Sequence, residues 1–295
     1  MHPLPIDPSV IEECRALAGD IAAGVQRFID AHTTVSIERT VLRAYGIDGA
    51  DAEGVPLVNT CVDRVLAATR DGRRLGHGIA WWLGRALARG AANPQEAAEA
   101  LAYGGDVDDG NGGPAHAEVL AALAPHTAAA LARIDGAREK RLSQRRRLGQ
   151  GPIPWKYVIV ATGNIYDDAD QARAAAQAGA DIIAVIRSTA QSLIDYVPYG
   201  ATTEGFGGTW ATQENFKIVR RALDDEQEKL GRYLMQVNYS SGLCMPEIAY
   251  LGAVERLDML LNDAMYGILF RDINPRRTLC DQYFSRRVIA RAGII

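Results

Sequence analysis

YVIVATGNIYDDADQARAAAQAGADIIAVI, residues 157–186, decides the fold. It begins with YVIVAT and ends with DIIAVI, two short runs that are continuously apolar and rich in β-branched side chains. A strand with one wet face alternates apolar and polar residues. These runs do not, so both faces of each must be buried. The polar stretch between them (167–179) reads as a helix and stops at Gly179, as a helix ending on a C-terminal glycine does. Strand, helix, strand is the unit of a parallel sheet.

The alternation continues towards the C-terminus. A long, polar, glycine-rich loop (187–212) precedes a helix (213–230), the strand RYLMQVN (232–238), a helix (245–264), the strand YGILF (266–270) and a helix (277–291). Consecutive βα units make a TIM barrel or a doubly wound sheet. The last residues, Ala292-Gly293-Ile294-Ile295, read as the start of a fifth strand. Four βα units and such a stub are half of an eightfold barrel. An unpaired apolar strand beginning leaves an open edge. Residues 151–295 are therefore expected to be a partial TIM-type (β/α) barrel, with the chain truncated.

Residues 1–150 read differently. Pro8-Ser9 opens a helix with apolar residues at helical spacing (Ile11, Leu17, Ile21, Val25, Phe28). Thr34 is placed to cap VSIERTVLRAY, and Asn93 to cap the helix at Pro94-Gln95. A long helix from Ala115 to Leu148 ends in the basic run RLSQRRR. No strand stands out, so an all-helical N-terminal region is expected.

Composition excludes several classes of function. The net charge of -4 carries no nucleic-acid footprint. Cys14, Cys61, Cys244 and Cys280 form no C-x-x-C pair and no disulfide framework, which fits a reducing cytoplasm. The N-terminus lacks the basic and apolar regions of a secretory signal. No stretch approaches the ~18 consecutive apolar residues of a membrane span.

Parallel α/β folds place their sites at the C-terminal ends of the strands. After the first strand stands TGNIYDD (162–168), and after the second Arg187-Ser188-Thr189-Ala190-Gln191-Ser192. After the third stands Asn238-Tyr239-Ser240-Ser241-Gly242, and after the fourth Arg271-Asp272-Ile273-Asn274. Two arginines, hydroxyls, small residues and aromatic rings suit a planar, anionic ligand. Arginine offers a forked donor to phosphate or carboxylate, and a tyrosine ring can stack on a heteroaromatic face. Taken singly, such arginines pair with neighbouring aspartates. It is their recurrence on successive strand ends that favours a site.

Absences narrow the chemistry. All five histidines (His2, His32, His77, His116, His126) precede residue 150, so the barrel part offers no histidine metal ligand and no Ser-His or Cys-His pair. Its lysines are Lys156, Lys217 and Lys229, one before a strand and two on helices. None is placed for a Schiff base at the strand ends. The G-x-G-x-x-G fingerprint is missing after the first strand.

Several long segments carry a resemblance. YVIVATGNIYDD, ADIIAVIRSTAQSLIDYVPYGATTEGFGGTWATQENF, SSGLCMPEIAYLGAVERLDMLLNDAMYGILFRDIN, DQYFSRRV and the N-terminal TTVSIERTVLRAYGIDGADAEGVPL closely resemble the family of lysine 5,6-aminomutase α subunits. The similarity covers nearly the whole chain and is densest from 157 to 295. Ornithine-type aminomutases are more distantly similar.

The resemblance implies a TIM barrel that binds pyridoxal 5'-phosphate (PLP), with added helices. It implies a β subunit that holds adenosylcobalamin and supplies the Schiff-base lysine, in keeping with the missing lysine and the missing D-x-H-x-x-G pattern here. It further implies a radical amino shift that moves the C6 amino group of D-lysine or L-β-lysine to C5. The family's cofactor contacts fall on Arg187, Ser188, Thr189, Ala190, Gln191, Ser192, Ser241, Tyr266 and Arg271. Tyr266 would stack on the pyridine ring, and Arg187 with the serines would hold phosphate or substrate carboxylate. Position 190 is usually glycine in the family, and Ser240 stands where cysteine is usual. An acidic PLP contact that the family carries lies beyond residue 295.

Two other readings compete. One is a non-catalytic docking fragment of such a subunit. The other is a stand-alone barrel enzyme for a phosphorylated metabolite, which lacks a general base other than Asp or Glu.

Overall fold

The computed structural model describes residues 5–104, 107, 113–185, 209–238, 245–261 and 274–295. The N-terminal elements are α1 (Pro8–Asp30), α2 (Val35–Ala44), α3 (Leu57–Ala67), α4 (Ile79–Ala88), α5 (Pro94–Tyr103) and α6 (His116–Leu148), with one 3-10 turn at Leu75–His77. Only an isolated bridge between Ala50 and Pro56 departs from helix and turn among the described residues here. There follow β1 (Tyr157–Val160), α7 (Ile165–Gln177), β2 (Ile182–Val185), α8 (Thr209–Leu230), β3 (Met235–Asn238), α9 (Pro246–Val254), β4 (Met259–Leu260) and α10 (Pro275–Ala292).

The caps expected from sequence form. Thr34 Oγ1 accepts the Ile37 N–H, and Asn93 Oδ1 accepts the Glu96 N–H. The N-terminal core gathers Leu42, Ile47, Val58, Val62, Ile79, Trp82, Leu83 and Leu101. Helices α4 and α6 cross closely. A Cβ on Gly84 would stand 2.7 Å from side-chain carbons of Leu123 and Val119, so the glycine sets how near the helices come.

Glu38 of α2 is buried and accepts the Ile79 N–H at 2.6 Å, which gives α4 the N-terminal partner that Gly78 cannot supply. Burial, the largest influence, pushes its carboxyl above the ordinary 4.5, against the pull of the Ile79 N–H and the Thr33 hydroxyl. The folded chain thus holds this proton more tightly than the unfolded chain. The contribution to stability is complete below pH 4.5 and is lost as pH rises through the raised value. Melting curves of the wild type and Glu38→Gln from pH 4.5 upward should therefore diverge, the wild type losing ground with rising pH. Parallel curves would show that the carboxyl titrates normally.

The strands form one parallel sheet in the order β1-β2-β3-β4. Its outer face packs Ile183 and Val185 against α7 and α8, through Ile165, Ala172, Ala176, Val219 and Leu223. Its inner face joins Ile182, Ala184, Met235 and Val237 to Leu148 at the end of α6 and to Trp155 from the segment after it. On β1 the inner residues Tyr157 and Ile159, in register with Ile182 and Ala184, are 41% and 43% exposed.

One strand differs from the sequence reading. The helix expected over 245–264 ends at Val254, and the fourth strand is Met259–Leu260 rather than YGILF (266–270), which lies outside the described residues. The break falls at Arg256, whose φ of +63° is the only positive value on a described non-glycine residue. The Leu257 N–H closes back on the Gly252 carbonyl, and the Asp258 N–H enters the ladder on Gln236. Two strand residues in the run LDMLL, Leu260 buried and Met259 partly so, look helical by hydrophobicity alone. The segment at 292–295 follows the strand reading only at its end, since Ala292 is the last residue of α10 and Gly293 its left-handed cap. Ile295 donates to the Asp258 carbonyl at 3.0 Å and accepts from the Leu260 N–H at 2.9 Å, lying beside β4 as a fifth strand would.

Candidate active site

The parallel register sends the C-terminal ends of β1, β2 and β3 to one face of the sheet. After β1, the fully buried Asp168 organises the turn. Its Oδ1 accepts the Thr162 N–H at 2.6 Å and the Thr162 hydroxyl at 2.8 Å. Asn164 caps α7 by accepting the Tyr166 N–H, while Gly163 takes φ +100° between them. The rim after β1 is thus built by its own side chains, with Tyr166 left 60% exposed. β3 ends on Asn238, and α8 brings Thr212 and Asn215 inside, all three buried.

Sequence reasoning placed Asp168 and Asn238 at strand ends without giving either a role, and did not name Asn215. For Asp168 a signal existed, since a hydroxyl and an acid flank an Asn cap in TGNIYDD. Asn238 and Asn215 become polar groups of interest only once they are seen to be buried.

The nine residues named as cofactor contacts, Arg187, Ser188, Thr189, Ala190, Gln191, Ser192, Ser241, Tyr266 and Arg271, all lie outside the described residues. In chain order Arg187–Ser192 follow the C-terminal end of β2, and Ser241 follows that of β3. Tyr266 and Arg271 fall between β4 and α10. The reading of Arg271 as the residue after the fourth strand is corrected by the position of β4. That strand ends at Leu260, so Leu261 follows it.

The lysines can be placed. The Lys156 N–H donates to Asp181 at 3.0 Å, and its ammonium lies beside Gly179 at the C-terminal end of α7, opposite the strand ends. Lys217 is engaged by Glu214 at 2.6 Å and Lys229 by Glu226 at 3.1 Å, both on α8. None of the three reaches the face where the loops leave the strands. Among the described residues no group of His, Cys, Asp and Glu is arranged to hold a metal ion.

The opposite end of the sheet is charged for structural reasons. Asp258, just before β4, accepts the Gln236 N–H at 2.9 Å and the Tyr233 hydroxyl, with Arg220 at 3.7 Å and Arg141 at 3.9 Å. Burial pushes its carboxyl up, and Arg220, the Gln236 N–H and Arg141 pull it back. Asp181, just before β2, takes Lys156 N–H and Arg232 in the same way. Arg141 comes from α6 and also donates to the carbonyls of Leu257, Ala292 and Gly293. Arg43 of α2 meets Glu247 of α9 at 2.7 Å, both nearly buried. The helical region is thereby fastened to the outside and underside of the sheet.

Helices packed outside a parallel sheet, with loops leaving one end, define a subunit of the (β/α)-barrel class of which four strands are described. The chain belongs to the family of D-lysine 5,6-aminomutase α subunits, whose model, "D-Lysine 5,6-aminomutase TIM-barrel domain of alpha subunit", matches residues 4–295. The lysine 5,6-aminomutase α subunit of Fusobacterium nucleatum subsp. nucleatum is 51% identical over 306 residues, covering 100% of this chain and 56% of that protein. The one from Acetoanaerobium sticklandii is 49% identical over 293 residues, covering 99% of this chain and 56% of that protein. The D-ornithine 4,5-aminomutase subunit β of Acetoanaerobium sticklandii is 36% identical over 143 residues, 48% of this chain and 19% of that protein. The chain thus spans about half the length of the lysine aminomutase subunits it matches. No described helix is long and apolar enough to cross a membrane.

Proposed function

We propose that this chain is the PLP- and substrate-binding wall of an aminomutase that moves the C6 amino group of D-lysine or L-β-lysine to C5. The observation that carries this reading is the identity of 51% to a lysine 5,6-aminomutase α subunit, sustained over the whole chain. The placement of the lysines agrees with it, because Lys156, Lys217 and Lys229 are all held away from the strand ends, so a Schiff-base lysine would come from a β subunit or from further barrel sequence.

In this reading PLP supplies the group that carries the migrating nitrogen, and adenosylcobalamin, held mainly by the β subunit, supplies the radical. The chain's own residues bind and orient. Arg187, Ser188, Thr189, Ala190, Gln191 and Ser192 hold phosphate or substrate carboxylate with their donors, Ser241 and Arg271 add to them, and Tyr266 lies against the ring. Asp168 keeps the rim after β1 in place through Thr162. Residues 1–150 act as a helical support and 151–295 as the barrel wall. Without the partner's lysine and cobalamin, the chain alone is inactive. The unbonded Cys14, Cys61 and Cys280 support a cytoplasmic setting.

The test is a reconstitution. The chain, joined to the further barrel sequence of the kind its relatives carry, is combined with a β partner, PLP and adenosylcobalamin. It is expected to convert D-lysine to 2,5-diaminohexanoate, or L-β-lysine to the corresponding 3,5-isomer. Absence of both products while PLP and cobalamin are bound would overturn the proposal.

A further inference from the structure

We propose that Arg43 and Glu247 are positioning residues for the cofactor site, a role that rests on Ser241 being a PLP contact. Through this pair α2 sets where α9 begins, and so where the segment carrying Ser241 ends.

α9 starts at the face where the loops leave the strands, as the helix after a parallel strand does. Glu247 is its second residue. β3 ends on Asn238, held in register with Val185 on one side and Leu260 on the other. Only residues 239–245 stand between that fixed point and Pro246. A contact on the first turn of α9 therefore acts on Ser241 across a short stretch of chain. Arg187–Ser192 stand much further from the start of α8 at Thr209, so a first-turn contact there would act on them less directly.

The contact comes from the other half of the chain. Arg43 stands in the last turn of α2, and its Nε donates to Glu247 Oε1 at 2.7 Å. The two side chains are 9% and 1% exposed. For stability alone, two apolar side chains of similar volume would serve as well, because burying both charges costs much of what their attraction returns. A charge-assisted hydrogen bond adds what apolar packing lacks, a fixed distance and direction. Such a bond at the foot of a short loop holds the loop to one position.

α2 is itself held at both ends. Arg133 of α6 donates to the Ala44 carbonyl and meets the Tyr250 hydroxyl of α9. Ala44 packs against the cluster of Ile248, Ala249 and Tyr250. At the other end the Thr34 hydroxyl donates to Asp281 of α10. α2 is thus a bar fixed on α10 at its start and on the first turn of α9 at its finish.

The chain, extended by its further barrel sequence and combined with a β partner, is titrated with PLP and followed by absorbance. Arg43→Met with Glu247→Met removes both charges at similar volume. This double variant should bind PLP about tenfold more weakly while melting near the wild type. Arg43→Lys keeps a charged donor and should come back to within about threefold of the wild type. Asp135→Ala breaks another tie of α6 to α10, 2.6 Å from Arg291 in the last turn and away from the loops, and should leave PLP binding unchanged. Wild-type affinity in the double variant would overturn the proposal. So would an equal loss in Asp135→Ala, which would make the effect one of general loosening. If the double variant does not fold, Glu247→Gln, of the same shape, decides: about threefold weaker binding is expected, and wild-type affinity would overturn the proposal. A wild-type complex that binds no PLP would overturn the reading of Ser241 and this role with it, which sets that failure apart from the others.

Discussion

Arg141→Ala is expected to destabilise the chain by about 3–5 kcal/mol, the range seen when one partner of a buried ion pair is removed. The side chain is buried and lies beside Asp258. Its guanidinium donates to three carbonyls, two of them on the segment that leaves α10. Truncation leaves Asp258 to Arg220 alone among cations in contact, and leaves the Leu257, Ala292 and Gly293 carbonyls without this donor. Urea unfolding of Arg141→Ala, Asp258→Asn and the double variant separates the effects. The two single losses should not add, because both residues share one network. A loss below about 1 kcal/mol, the range of a surface pair, would mean that water replaces the guanidinium and that α6 is not tied to the sheet here.

Trp82→Ala should cost about 3–5 kcal/mol, as large aromatic truncations in packed cores do. Trp82 is 1% exposed, and its indole N–H donates to the Arg74 carbonyl at 2.9 Å. The substitution opens a cavity between α4 and its neighbours and also removes a buried donor. Arg85, 5.3 Å from the ring, loses the aromatic face it covers. Trp81 is the internal control. It is only partly buried and stacks on His116 at 5.0 Å, so Trp81→Ala should cost clearly less. Equal midpoints for the two variants would contradict the packing described here.

The two tryptophans also show how far sequence reading goes. TrpTrp inside an apolar run announces a helix in a core, but helical spacing alone did not say which ring points inwards. The strands β1 and β2 were legible because each is a continuous apolar run bounded by polar segments or glycine, and β3 (MQVN) because it continues the apolar run Tyr233-Leu234 despite Gln236. β4 was not, because its two residues follow only a short turn (255–258) after a buried helix. The turn between them rests on a left-handed arginine rather than the glycine that marks such a break. Capping at Thr34 and Asn93 is local chemistry and was read directly. The pairs Arg43–Glu247 and Arg141–Asp258 join residues more than a hundred positions apart, which no local pattern can reveal.

The candidate site divides along the same line. Arginines and hydroxyls after strand ends gave a ligand class by themselves, while the individual roles of Arg187, Ser241 and Tyr266 came from the family resemblance. The exclusion of a lysine from this face could be anticipated from position in the chain. It gains physical content from the partners that hold Lys156, Lys217 and Lys229 elsewhere.

The reach of Arg141 sets an order on assembly. Its acceptors lie 116, 151 and 152 residues further along the chain. During synthesis α6 leaves the ribosome well before Ala292 and Gly293 exist, at about 5–20 residues per second. Over those seconds the basic end of α6 has no site to enter, and the underside of the growing sheet stays open. Contacts that close such long loops come late and slow the final step. The helical half is thus made first, its locking residue waiting for the segment after α10 that it will hold.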